Sequence, residues 1–448
     1  MRWLVSAGAL GCALAWAVTA HAQAVAAPEP LTLAQARALA LMNHPDIAAA
    51  DYRAQAAHEV YVQSRAGLLP QVSLYGDAVH AGSDATRLLA GGLNNPSVYD
   101  RTAVGVGASQ LISDFGHTAN LAASSRLEAQ AAQQGLLSTR AEVLLAVDHS
   151  YLAALQARAV VQVAQQTLAT RELLAQRVGI LAQNKLRSQL DVSFAQVATE
   201  DARLLLQQAQ ADADSAQASL SAVLGYREPH AFALADEAAV ATPEGTDLAG
   251  LIAQALQDRP ELAALRDERE AAERRALAQR DARLPTVSAV LDAGTALSRD
   301  ARLPANYTAA GIEVSVPLFA GGLYEGRARE ASLRAKAAER TLRSLEDTVA
   351  RDVNIAWLGL ASAREQLRTS LQLRRYAATA YELADARYRA GSSSIVELSQ
   401  AQLALTSAQI GEAGARYEVL RRAADLNYQV GAGMEEAGTR ATPAPGAP

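Results

Sequence analysis

The chain has 448 residues, a formal charge of −6, half its residues hydrophobic and only 4% aromatic. Lys185 and Lys336 are its only lysines and no basic cluster runs along it, which argues against a nucleic-acid partner. The one cysteine, Cys12, offers no disulfide framework or cysteine-based metal site, and long stretches of Ala, Gln, Leu, Arg and Glu suit packed helical rods better than a compact enzyme core.

Residues 1–22 read as an export leader: Arg2, an apolar run from Trp3 to Val18, and the small-x-small site Ala20-His21-Ala22. After it no apolar stretch approaches the ~20 residues of a membrane-spanning helix, so any membrane passage must use strands. Pro45 suits the first turn of a helix, with Asp46 beside its positive end. Beyond Leu69-Pro70 the period changes to two: Val72, Leu74, Gly76 and Ala78 alternate with Gln71, Ser73, Tyr75 and Asp77. Thr102, Val104, Val106 and Ala108 continue the pattern, giving a strand pair over 70–112 with a long Gly/Asn/Ser-rich loop at 80–99. Helices are predicted over 117–184 and 187–225, joined by a turn at Asn184-Lys185. A linker follows at 239–246.

The second half repeats the first. His44-Pro45-Asp46-Ile47 returns as Arg259-Pro260-Glu261-Leu262 and Leu69-Pro70 as Leu284-Pro285, both displaced by 215. Leu190-Asp191-Val192 returns as Val396-Glu397-Leu398 and Leu224-Gly225 as Val430-Gly431, displaced by 206. The difference of nine is assigned to the loop at 80–99, longer than its counterpart at 298–306. Two repeats are therefore expected, 23–238 and 247–433, the second with a strand pair over 285–318 and helices over 322–390 and 394–431. Residues 434–448, rich in Pro, Ala and Gly, are expected to be a disordered tail. A helix of roughly 65 residues at 1.5 Å each reaches ~100 Å. Four strands cannot close a barrel, and lipid tolerates no open sheet edge, so other copies of the chain must complete it. Three copies would give twelve strands above twelve long helices.

The turn Tyr388-Arg389-Ala390-Gly391-Ser392-Ser393-Ser394-Ile395-Val396-Glu397-Leu398, followed by Ala401 and Leu405, closely resembles the signature around the periplasmic hairpin of the TolC family of outer-membrane factors. Leu186-Arg187-Ser188-Gln189-Leu190-Asp191-Val192 resembles it in the first half, with Lys185 in place of the usual glycine. Val316-Pro317-Leu318-Phe319-Ala320-Gly321-Gly322 and Ser113-Asp114-Phe115-Gly116 fit the family's strand-to-helix passages. The resemblance runs from about Leu31 to Gly431. It implies a mainly α protein with membrane β: a long coiled-coil α-barrel plus four strands per protomer of a trimeric, twelve-stranded outer-membrane β-barrel. It implies, too, a passive duct with no catalysis and no cofactor, a homotrimer set in outer-membrane lipid with its helical body in the periplasm. Its partners would be a periplasmic adaptor and an inner-membrane pump of the resistance-nodulation-division or ATP-binding-cassette type, serving efflux or type I secretion.

By that resemblance Asp191 and Tyr388 match a link that holds the periplasmic end shut, expected as a hydrogen bond between neighbouring coils. Glu397 matches an acidic constriction. Ser393 and Gln400 stand where the best-known member has a bridging arginine and a second acid. Ser188-x-x-Asp191 and Ser394-x-x-Glu397 also read as capping boxes, a role compatible with a gate. Leu186, Arg187, Ser188, Gly391, Ser392 and Ser393 are candidates for adaptor docking, being what the turns expose, and equally read as plain turn chemistry. The charged run from Arg266 to Arg275 reads as a solvated helix face. An enzyme finds no nucleophilic cysteine, Gly-rich phosphate loop or His/Asp/Glu cluster at metal spacing. The rival reading is a soluble periplasmic adaptor, which also carries a long helical hairpin, although usually one inserted into a β-rich body.

Overall fold

The computed structural model describes residues 30–80, 86–87, 97–98, 101–236, 247–301 and 303–432. In chain order these form α1 (Leu33–Asn43), α2 (Pro45–Ala66), β1 (Gln71–Val79), β2 (Thr86–Arg87), β3 (Ser97–Val98), β4 (Arg101–Ser113), α3 (His117–Gln183) and α4 (Gln189–Val223). The second half gives α5 (Leu248–Asp258), α6 (Pro260–Asp281), β5 (Thr286–Arg299), β6 (Asn306–Ser315), α7 (Leu323–Arg389) and α8 (Ile395–Val430). The leader, the linker at 239–246, the tail and most of the loop at 80–99 lie outside the described residues. Both displacements recur in the elements themselves: α2 and α6 start 215 apart, and α3 and α7, each of 67 residues, start 206 apart. Among the described residues no helix is long and apolar enough to cross a membrane.

Local chemistry sets the helix boundaries. Pro45 and Pro260 open α2 and α6 at the position where a missing amide proton costs nothing. His44 caps α2, its Nδ1 accepting from the Asp46 amide at 3.2 Å. His149 pairs with Asp425 of α8 at 2.7 Å, and the run from Arg266 forms the expected i,i+4 pairs Arg269–Glu273 and Arg274–Glu270. At the head of α6, Glu261 takes bonds from Arg259 and from the Ser138 hydroxyl of α3. Burial pushes the Glu261 carboxyl up, but the bonds and charge of Arg259, with Ser138, outweigh it and hold the group below the ordinary range. A depressed native pKa adds stability above the ordinary value of about 4.3 and loses it as pH falls through the native value. The thermal midpoint is therefore expected to drop between about pH 5 and 3, with a shallower drop in Glu261→Gln.

The helices lie side by side in a fixed order. Nearer the sheet it is α2, α3, α6, α7; towards the turns it is α4, α3, α8, α7. The main core lies where α1 and α5 pack across the long helices, around Val147, Tyr151, Leu152, Leu220, Leu262 and Leu426. A second, smaller cluster joins all four rods near the turns: Leu174 and Val178 of α3, Ala195 of α4, Ala384 and Tyr388 of α7, Ile395 and Leu398 of α8.

The four long strands form one antiparallel sheet in the order β1-β4-β5-β6, leaving β1 and β6 as open edges. Register keeps the expected phase across all four. Leu74 faces Val106, Ala108 faces Leu291, and Ala289 faces Ile312, so one face is apolar. It is also bare: Val72 is 70% exposed, Leu74 80% and Ile312 70%. The opposite face carries Tyr75, Asp77, Asp292, Tyr307 and Glu313 beside the small inward residues of β4, Ala103, Gly105 and Gly107. A sheet with one bare apolar side and one polar side is built for lipid outside and water inside.

Candidate functional site: the helical tips and the channel family

The far ends of the rods are two turns of the same construction. The Leu186 amide donates to the Leu181 carbonyl and the Lys185 amide to Ala182; 206 residues on, Ser392 donates to Arg387 and Gly391 to Tyr388. Both are Schellman motifs, which place the residue after the C-cap in the left-handed region. Gly391 adopts φ +75° there without cost, whereas Lys185 sits at φ +60°. It is Lys185, and not the preceding Asn184 at φ −87°, that takes the left-handed conformation. The strain of a non-glycine residue in that region is of order 1 kcal/mol. Lys185→Gly is therefore expected to stabilise the first tip by about 0.5–1 kcal/mol, read as two- to fivefold slower hydrogen exchange at residues 181–188.

The predicted gate residues converge on these tips, in a different pattern of bonds. Asp191 serves α4: its carboxylate accepts from the Ser188 amide at 3.0 Å and the Ser188 hydroxyl at 2.8 Å, while its own amide donates back, a complete capping box. The hydrogen bond expected between Tyr388 and Asp191 is not made within the protomer. Tyr388 is 3% exposed, its ring belongs to the apolar tip cluster, and its buried hydroxyl has no partner among the described residues. Burial raises its pKa, and Asp191 adds to the rise against the opposing charge of Arg187. What crosses between the coils is Arg187, whose guanidinium sits 4.3 Å above the Tyr388 ring and donates to the Tyr388 carbonyl at 3.0 Å.

The second capping box is half formed. The Ser394 hydroxyl accepts from the Glu397 amide at 3.2 Å, but the Glu397 carboxylate turns to Arg387 at 2.8 Å and to the Ser393 hydroxyl at 2.7 Å. Arg387 thus supplies a cation where Ser393 lacks one. Gln400 lies exposed on the next turn of α8. Among the docking candidates Leu186, Ser188, Gly391 and Ser392 are exposed, Leu186 at 68%, while Arg187 and Ser393 turn inward into the bonds just given.

Further up the coils lies a link that the sequence reading missed. Arg171 of α3, buried and with its pKa lowered by that burial, donates to the Ser399 hydroxyl at 3.0 Å and the Ser399 carbonyl at 3.2 Å, inside α8. Thr167 and Thr406 meet hydroxyl to hydroxyl at 3.2 Å nearby, and the buried Gln402 side-chain oxygen has no partner among the described residues. The signal was available: Thr167, Arg171, Leu174 and Val178 follow the 4-3-4 spacing of a helix seam, which puts the arginine in it.

Long paired rods joined end-on to a lipid-facing sheet, with small polar tips and no enclosed active centre described, define a duct-forming membrane channel. Comparison with known proteins gives the class its name. The outer membrane efflux protein family matches residues 36–226 and 251–432, and the chain belongs to that family. It is 26% identical over 403 residues to the toluene efflux pump outer membrane protein TtgC of Pseudomonas putida, spanning 88% of this chain and 82% of that one. It is likewise 26% identical to the pyoverdine export outer membrane protein OpmQ of Pseudomonas aeruginosa, over 92% of this chain and 87% of the other. The solved structure of CusC superposes with a TM-score of 0.78 at 20% identity, over 90% of this chain and 92% of that one. The protein is an outer-membrane efflux channel with the TolC-like fold. The adaptor alternative has no support: two hairpins in tandem, not one, flank a sheet with a bare apolar face.

Proposed function

We propose that three copies of this chain close into one passive duct, which receives cargo from a periplasmic adaptor and inner-membrane pump and does no chemistry on it. The observation that carries this reading is the pair of open edges, β1 and β6, on a sheet whose apolar face is bare. Because the four strands alternate in direction, β6 of one copy meets β1 of the next antiparallel, and three copies leave no edge unpaired.

The helices support the same closure. On α4, Leu190, Val197 and Leu204 are exposed at intervals of seven, about 200° round the helix from the buried Ala195 and Ala202. On α7, Leu358, Tyr376 and Leu383 share one exposed face, again opposite the buried Val349, Ala356 and Leu360. These two helices are the outer members of the rod order, so each has a second seam and no neighbour among the described residues of the protomer to fill it. Charge agrees: α4 carries five acids against one arginine, and the last 29 residues of α7 six arginines against three acids. The seam runs α7 to α4 around the ring.

The tips form the gate and the docking surface. Arg187 and Arg171 hold the two coils together there, while the buried Tyr388 hydroxyl and Gln402 oxygen, which have no partner among the described residues, each cost the packed tip about 1–3 kcal/mol. Leu186, Ser188, Gly391 and Ser392 are what an adaptor meets end-on. The reading is tested by reconstituting the purified chain in planar lipid bilayers: discrete conductance steps from a heat-modifiable oligomer support it, and a monomer that never inserts refutes it.

A further inference from the structure

Across the polar face of the sheet one register row reads Tyr75, Gly105, Gly294, Tyr307, from edge strand to edge strand. Three strand spacings of about 4.8 Å separate β1 from β6, roughly 14 Å along the sheet. The two tyrosine hydroxyls nevertheless meet over the middle at 3.1 Å. Only glycine permits this. A Cβ on Gly105 would stand 2.5 Å from the Tyr307 hydroxyl and 2.8 Å from that of Tyr75. One on Gly294 would collide with the Tyr307 ring and hydroxyl and lie 2.6 Å from the Val104 carbonyl oxygen. In the next row Gly107 leaves the same room, its Cβ position being 3.0 Å from Asp292 Oδ1.

The Tyr307 hydroxyl comes within 2.5 Å of the Cβ position of Gly105, two strands away and closer than a tyrosine reaches across two spacings of about 4.8 Å on a flat sheet, so this face is concave; flattening it carries β1 and β6 apart and withdraws the hydroxyls from this seat. The rings also lie down on the glycines instead of standing up from the wall. We infer that Tyr75 and Tyr307, seated on Gly105 and Gly294, form a cross-sheet brace that holds each protomer's four strands at the curvature of the closed barrel and keeps the rings out of the lumen. The inference rests on the three-copy barrel proposed above. The brace acts within one chain, so it presets the edges before a neighbour arrives, and it works on β1 and β6, the strands that must find partners. Aromatic side chains covering cross-strand glycines are a known means of fixing sheet shape and register.

The test uses the full chain in outer-membrane fractions and in planar bilayers. Gly105→Ala lifts both rings and is expected to cut the yield of heat-resistant oligomer at least twofold and to lower the conductance of what assembles. Tyr75→Ser with Tyr307→Ser removes the brace without a clash and lowers the temperature of oligomer dissociation by several degrees; Tyr75→Phe, which keeps the ring, lowers it less. Combining Gly105→Ala with both serines gives the behaviour of the serine pair, because the clash has gone. The brace is overturned if Gly105→Ala and the serine pair both match the wild type in dissociation temperature and conductance. A wild-type chain that forms neither oligomer nor pore overturns the barrel itself, and the brace with it.

Discussion

Leu291→Arg is expected to remove the oligomer from the outer membrane, while Val290→Arg, one residue earlier on β5, leaves it in place. Leu291 lies on the apolar face in register with Ala108 and Ala310; Val290 points to the opposite face beside Ser109 and Gly311. A charge on the lipid side near the middle of a barrel strand costs about 2–4 kcal/mol, and three copies would each incur it, roughly 6–12 kcal/mol in all. On the lumen side the guanidinium keeps its water and acts on permeating ions instead. The amount of heat-modifiable oligomer in membrane fractions separates the two variants. Equal loss in both would mean that the sheet does not present one face to lipid.

At the other end of the molecule, Arg187→Ala combined with Arg171→Ala is expected to raise single-channel conductance several-fold, and Tyr388→Phe to leave it unchanged or lower it. The arginines donate from α3 and the first turn to groups on α7 and α8, and a hydrogen bond from a charged donor is worth about 1.5–3 kcal/mol. Removing both releases each coil of the first hairpin from the second. Tyr388→Phe deletes a buried hydroxyl that has no partner among the described residues, which relieves a cost of about 1–3 kcal/mol and favours the packed tip. Asp191→Ala should weaken the start of α4 by about 1 kcal/mol through its cap and leave conductance alone. If Asp191→Ala opened the pore and the double arginine variant did not, the gate would be the Tyr388–Asp191 link formed in a state other than this one.

What could be read in the sequence was what depends on near neighbours along the chain. The two displacements, the proline-started helices and the alternation of Val72, Leu74 and Ala78 with Ser73, Tyr75 and Asp77 are all local periods, and each reappears in an element or a register. The positions of the tips were legible for the same reason, as turns between rods. Their bonding was not. Whether Arg187 faces a partner protein or folds onto Tyr388 is decided by how the two coils lean together, and nothing between residues 184 and 188 records that. Glu397 was read as a capping acid because Ser394 lies three residues before it, yet Arg387, on a different helix, takes its carboxylate. The meeting of Tyr75 with Tyr307 needed the register of four strands together, a quantity that no single strand carries.

The claim on which the rest depends is that α7 of one copy lies against α4 of the next. The only cysteine is Cys12, so a Cys12→Ala background allows a clean pair of new thiols. Leu204→Cys and Tyr376→Cys, exposed on opposite outer helices of the protomer, are the pair to oxidise in intact membranes. The expected result on a denaturing gel is a ladder of covalent dimer and trimer that ends at trimer, from the double variant and from neither single one. Monomers alone, with both thiols still free to react, would contradict the ring.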